Sequence, residues 1–97
     1  MEIKKQQTDS VLNVALSGRL DTVTAPELDA SLKDLSGVTE LILDFAQLSY
    51  ISSAGLRVIL ALQKAMSRQG SMKLTHVSSD VMEVFEITGF CDILTIE

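Results

Sequence analysis

The chain of 97 residues has little of what several classes of protein depend on. Its single cysteine, Cys91, excludes an internal disulfide and a cysteine-based metal cage, which favours a reducing compartment such as the cytoplasm. Aromatic residues are 4% of the sequence and leave little to stack on single-stranded bases. No apolar run approaches the roughly 20 residues of a membrane span, and the polar segment 1–7 is not typical of a secretory signal.

Basic residues are also few, with 8 lysines and arginines against 13 acidic residues and a formal net charge of −5. This charge argues against general attraction to nucleic acid or to an anionic membrane, so we expect neither as a partner. Hydrophobic residues make up 46% of the sequence and charged residues 22%, which is typical of a chain that forms a packed core. We therefore expect one soluble domain over residues 1–97.

The first segments predict a β-hairpin. Two short extended stretches, roughly 3–7 and 11–16, are separated by Asp9 and Ser10, which favour turns. In the second stretch both alternating sets of positions carry apolar residues, as in a strand that is covered on both faces. We expect this strand to be central in a sheet.

The remaining segments alternate between helical and extended patterns. Thr24 precedes Pro26 in a first helical turn, with Glu27 at the spacing of a capping box, and Gly37 follows as a stop signal. The later elements are predicted as a strand at 41–45, a helix at 52–69, a strand at 72–76, a helix at 81–88 and a last strand at 93–96. This order predicts an α/β fold with a mixed, mostly parallel sheet, an N-terminal hairpin and about three to four α-helices.

The segment Leu48–Leu56 is the most informative, because it delivers Ser52, Ser53 and Gly55 to the start of a helix. Unpaired N–H groups and the helix dipole favour negative charge there, so a phosphate on Ser53 would be stabilised. Gly55 would keep bulk away from the first turn and let another protein approach the backbone. A serine before a helix is most often a plain cap, however, and the residues alone do not establish a switch.

Four blocks of the sequence resemble the STAS domain family, in the order and spacing of that family. They are Ser17-Gly18-Arg19-Leu20-Asp21, Asp44-Phe45, Leu48-Ser49-Tyr50-Ile51-Ser52-Ser53-Ala54-Gly55-Leu56 and Ile87-Thr88-Gly89-Phe90. The block at the second helix is the most recognisable, and together the blocks span nearly the whole chain. The resemblance implies a STAS-like fold.

In the bacterial anti-sigma-factor antagonists of this family, a serine at the start of that helix is phosphorylated by an anti-sigma factor that is itself a serine kinase. The resemblance therefore implies that Ser53 is the phosphorylation site. It implies that the unphosphorylated form binds the anti-sigma factor and frees a sigma factor, and that a PP2C-type serine phosphatase restores this form. It also implies that the domain catalyses nothing.

The resemblance further implies a partner-binding surface, in which the loop residues Asp21 and Thr22 lie near the phosphorylation helix. From that helix the surface would include Ser52, Ser53, Ala54, Gly55 and Arg57. Ser52 stands where many family members have an aspartate, which makes it a competing phosphate acceptor. Arg57 follows Ser53 by one helical turn, so it could influence a phosphate or an acidic group of the partner.

An alternative kept open is a constitutive STAS scaffold in a sensory or lipid-transport assembly, where Ser53 only caps a helix. An enzyme is disfavoured, because no phosphate-binding glycine loop, paired carboxylates or Ser/His/Asp set is present, and no cofactor is expected. His76 has no second histidine or cysteine with which to hold a metal. Asp44 is predicted at a strand end without a basic partner, and is expected to orient the adjacent loop.

Overall fold

The computed structural model describes residues 1–97 as four strands and three α-helices. The strands are β1 (Glu2–Thr8), β2 (Val11–Leu20), β3 (Glu40–Ile51) and β4 (Ser71–Thr75). The helices are α1 (Ala25–Ser31), α2 (Ser53–Ser67) and α3 (Ser79–Thr88), and a 3₁₀ turn at Phe90–Asp92 follows α3.

The sheet has the order β1-β2-β3-β4, with β1 antiparallel to β2 and the other pairs parallel. The hairpin turns at Asp9, whose φ of 55° is a left-handed conformation that aspartate tolerates better than most residues. Strand β2 lies between β1 and β3, so its central position is confirmed. The mixed α/β fold with an N-terminal hairpin and three helices is confirmed as well.

One face of the sheet carries the core and the other is open. Buried residues alternate along the strands and are paired across them, as in Val14–Leu43–Leu74. Helix α2 packs on β3 and β4, α3 packs on β3, and α1 lies beside α2. The intervening side chains, such as Asn13 on β2, lie on the side opposite the core. The expectation that β2 is covered on both faces is therefore wrong.

Strands β2 and β3 continue beyond the ends that the sequence predicts. The pairing of β2 with β3 shifts register between Ala15 and Ser17 and again between Gly18 and Arg19. Such bulges accommodate extra residues without ending a strand, and Gly18 supplies a φ of 95° at one of them. The carboxyl ends of both strands consequently lie side by side, where Leu20 is paired with Ile51.

Local cap and stop residues determine both ends of α3 but only partly those of α1. Ser78 caps α3 by accepting a hydrogen bond from the N–H of Val81, and Gly89 ends it with a φ of 79°. No side-chain cap forms at Thr24, so the predicted capping box is wrong. Helix α1 ends at Ser31, well before Gly37, although the following leucines remain buried in the core.

The last predicted strand is also wrong. The residues after the 3₁₀ turn form one isolated parallel bridge, between Leu74 and Ile96, instead of a strand. The N–H of Leu74 donates to the carbonyl of Thr95, and the N–H of Glu97 donates back to Leu74, each at 2.9 Å. The chain end therefore covers part of the β4 edge.

Candidate functional site

Residues from separate parts of the chain meet where β2 and β3 end. Because these strands are parallel and end in register, the loop after β2 and the start of α2 are neighbours. The N–H of Ser52 donates to the carbonyl of Leu20 at 2.9 Å, which ties the two segments together. Asp21 and Thr22 are thus placed beside the α2 start that carries Ser53.

Ser52 and Ser53 are held differently. Ser52 has an extended backbone, with a φ of −101° and a ψ of 175°, and its hydroxyl accepts from the N–H of Gly55 at 3.3 Å. Its carbonyl accepts from the N–H of Leu56 at 2.9 Å. Ser52 is therefore the helix cap, whereas Ser53 is the first helical residue and its side chain is exposed. Placing Ser53 at the cap position was wrong by one residue, since the helix begins between the two serines.

Gly55 faces the interior. A Cβ at this position would lie 2.7 Å from Cγ of Leu20 and 3.0 Å from both Cγ1 of Ile51 and the carbonyl oxygen of Leu20. The glycine is needed so that α2 can approach the ends of β2 and β3. The interpretation that it opens the backbone to another protein is wrong, because Gly55 is buried; the neighbouring Ala54 is half-buried against the core.

The loop after β2 is organised by Asp21. Its Oδ1 accepts hydrogen bonds from the N–H of Val23 at 3.0 Å and of Thr24 at 3.1 Å. The hydroxyl of Thr24 accepts from the N–H of Asp21 at 2.8 Å and donates to the carbonyl of Arg19 at 2.7 Å. The bond from the Thr24 N–H is the largest effect holding the pKa of Asp21 below its usual value; partial burial opposes it.

Two residues outside the predicted surface lie beside the paired ends of β2 and β3. Arg19 is paired in register with Tyr50, and its guanidinium carbon is 4.1 Å from the centre of the Tyr50 ring, a cation–π arrangement. Nε of Arg19 is 3.7 Å from Oδ2 of Asp21. Both residues are present in the quoted sequence blocks, but only the bulged register brings them together.

The exposed face of α2 is basic. Arg57 and Lys64 on α2 and Arg68 at its C-cap are exposed, and the ion pairs of the structure involve other residues. No acidic residue lies in the first turn of α2. Arg57 follows Ser53 by one turn, so the charge closest in sequence to that hydroxyl along the helix is positive.

Asp44 and His76 form a pair that the sequence analysis missed. Oδ1 of Asp44 is 3.0 Å from Nδ1 of His76 and also accepts from the N–H of Ala46. Asp44 lies within β3, and His76 directly follows the neighbouring β4, so the statement that Asp44 ends a strand without a basic partner is wrong. The signal was the parallel pairing of these strands, which places Asp44 opposite Thr75.

Comparison with known proteins decides the family. The sequence model of the STAS domain matches residues 2–97. The chain belongs to the STAS domain family. This STAS domain is 33% identical over 98 residues to the anti-sigma-B factor antagonist of Bacillus subtilis, with 99% of this chain and 88% of the relative covered.

Solved structures show the same fold. The anti-sigma factor antagonist SpoIIAA in its unphosphorylated form is 22% identical with a TM-score of 0.85, covering 99% of this chain and 88% of that one. The Bacillus cell fate determinant SpoIIAA in the phosphorylated form is 21% identical with a TM-score of 0.77, covering 99% and 91%. The STAS resemblance is confirmed.

Antagonists of this family are regulatory binding proteins, and this STAS domain is not an enzyme. No helix combines the length and apolar character that crossing a membrane requires.

Proposed function

We propose that this STAS domain is a cytoplasmic anti-sigma-factor antagonist, switched by phosphorylation of Ser53. In its unphosphorylated form it binds a kinase-type anti-sigma factor and so frees a sigma factor. Phosphorylation by that anti-sigma factor ends the binding, and a PP2C-type phosphatase restores it. The names of the relatives support the antagonist role, and the two states of SpoIIAA support a switch by phosphate.

The observation that carries the proposal is the division of roles between the two serines. The Ser52 hydroxyl is occupied with the N–H of Gly55, while the Ser53 hydroxyl is exposed in the first turn of a 15-residue helix. A phosphate at Ser53 would add roughly −1.5 to −2 charges near the positive end of the helix dipole. Arg57, one turn further on, carries a positive charge that would attract this phosphate.

The test is phosphorylation of the purified chain by the histidine-kinase-like anti-sigma factor of its source organism, with ATP, followed by mass spectrometry. Wild type should gain one phosphate and Ser53→Ala none. Ser52→Ala is the matched control: it should still be phosphorylated, at a cost of about 1 kcal/mol in stability for the lost cap. Phosphate gained by Ser53→Ala would refute the assignment.

Binding of the same anti-sigma factor separates a switch from a scaffold. Ser53→Asp places a negative charge at the exposed position without removing the Ser52 cap. We expect this variant to bind much more weakly than Ser53→Ala. Equal binding by the two variants would instead favour a constitutive STAS scaffold, in which Ser53 has no regulatory role.

A further inference from the structure

The charged residues of the chain are separated along the sequence. All 13 acidic residues lie outside residues 45–79, a segment that holds four of the 8 lysines and arginines. Residues 80–97 show the reverse, with five acidic residues and no lysine or arginine. Helix α2 therefore carries only positive charges, and α3 carries only negative ones.

The positive charges form a ridge along α2. Four exposed residues recur there at a spacing of three or four positions, which places them on one side of the helix: Arg57, Ala61, Lys64 and the C-cap residue Arg68. This side is opposite the buried Ile59. We call these four residues the basic ridge. None of its cations takes part in an ion pair of the chain, so its charge is free to attract another surface.

A second ridge, on α3, carries the opposite charge. Its members are exposed and lie opposite the buried Phe85: Asp80, Glu83, Glu86 and Ile87. We call these four residues the acidic ridge. Its carboxylates take no part in the ion pairs of the chain either. Ile87 is 77% exposed and adds an apolar contact surface beside them.

Both ridges point away from the sheet. Helices α2 and α3 pack on the core face of the sheet, and each ridge lies on the side of its helix opposite the core. The two ridges therefore lie side by side on the outer surface of one helical layer and cannot face each other within one chain. A second copy, turned about a two-fold axis that runs between the helices, can place its acidic ridge on the first basic ridge and its basic ridge on the first acidic ridge. One rotation thus pairs both ridges.

We propose that two copies of this chain form a two-fold dimer, in which the basic ridge of each copy contacts the acidic ridge of the other. Charge complementarity selects a second copy as the occupant, because both halves of the contact are present in one chain. Ile87 of one copy packs against the aliphatic stems of the basic ridge of the other, where Ala61 leaves room for it. The inference does not depend on the proposed function.

The dimer should be weak and sensitive to salt. Each copy carries a net charge of −5, so two copies repel each other except where the ridges meet. Exposed ion pairs contribute little and are screened by salt, which predicts a Kd on the order of 0.1–1 mM in about 0.1 M NaCl.

Sedimentation equilibrium of the unphosphorylated full chain measures this association. In about 0.1 M NaCl the average mass should rise with protein concentration from 10.5 kDa toward twice that value. In about 1 M NaCl, where the Debye length is roughly 3 Å, it should stay close to 10.5 kDa. A mass of 10.5 kDa in the lower salt even at about 2 mM protein would overturn the dimer, and a mass that rises beyond twice this value would overturn its two-fold symmetry.

Charge reversal tests the pairing of the ridges. Lys64→Glu/Arg68→Glu makes the net charge of both ridges negative and leaves Arg57 unchanged, because Arg57 belongs to the proposed partner surface. Glu83→Lys/Glu86→Lys makes the net charge of both ridges positive. All four substituted positions are exposed, so both variants should keep the fold. Each variant alone should stay a monomer under the conditions in which wild type dimerises.

An equimolar mixture of these two variants should form a heterodimer with one copy of each, because the facing ridges again have opposite charges. Variants that failed to fold could not produce such a recovery. Lys4→Glu/Lys5→Glu is the matched control: it changes the net charge as much as Lys64→Glu/Arg68→Glu does, but it lies on β1, at the edge of the sheet opposite β4. Its Kd should stay within about threefold of wild type. A mixture that remains monomeric, or an equal loss of dimer in the control, would overturn the contact between the ridges.

Discussion

Ser52 and Ser53 are chemically identical neighbours whose roles differ because α2 begins between them. The sequence predicts that a serine meets a helix start here, but both are good cap residues. Which serine becomes the cap depends on which one takes the extended backbone. The hydrogen bond from the N–H of Ser52 to the carbonyl of Leu20 in β2 fixes this. That contact is tertiary, so the segment alone could not predict it.

Gly55 gives a prediction in which packing opposes helix propensity. Gly55→Ala should gain up to about 1 kcal/mol from propensity. It should nevertheless be destabilised by about 1–3 kcal/mol overall, because the new Cβ would lie 2.7 Å from a fully buried Leu20. Urea unfolding measures the change. Ser53→Ala, at an exposed position of the same turn, should leave the midpoint nearly unchanged; a stabilised Gly55→Ala would contradict the packing argument.

Among the elements, strand cores were predictable and strand ends were not. The apolar run at 41–45 located the central part of β3, in which buried and half-buried side chains alternate. Beyond it the buried positions are Leu48 and Ile51, a spacing of three that no regular strand shows. The bulges in the β2–β3 pairing produce that spacing, and they depend on the partner strand. The predicted strand therefore ended too early, and it did not include Tyr50, which the bulged register pairs with Arg19.

The cap of α3 supplies a second pair of adjacent serines for comparison. Ser78→Ala should cost about 1 kcal/mol of unfolding free energy, because the N–H of Val81 loses its acceptor. Ser79 is the first helical residue and is exposed, so Ser79→Ala should change stability by less than about 0.5 kcal/mol. Chemical denaturation of both variants checks the difference. Equal losses would show that the Ser78 hydroxyl is not the acceptor that matters.

For the whole molecule, composition and the order of elements were sufficient to predict the α/β class and the hairpin. They could not reveal that all helices cover one face of the sheet, since apolar residues such as Val11 and Ala15 remain partly exposed on the other. The pairing of Asp44 with His76, which directly follows β4, was missed because it depends on the register of β3 against β4. Which surfaces are covered is a property of the assembled layers, and local patterns do not carry it.

Stability of the whole chain should decrease in acid through Asp21 and Asp34. The N–H of Thr24 lowers the pKa of Asp21, and the hydroxyl and N–H of Ser36 lower the pKa of Asp34, both from an ordinary value of 3.8. The unfolded chain then binds more protons than the folded chain at acidic pH. The stabilisation is therefore complete above the ordinary value and is lost as the pH falls through the lower, folded-state pKa values.

Thermal unfolding from pH 7 down to about pH 2 checks this dependence. Asp21→Asn and Asp34→Asn should each be less stable than wild type at pH 7, because a neutral amide accepts weaker hydrogen bonds than a carboxylate. The difference should shrink as the pH falls, since wild type then loses the same charges. Ser53→Ala removes no titrating group and should follow the wild-type curve throughout. A difference that stays constant across the range would mean that these carboxylates stabilise the fold by shape alone.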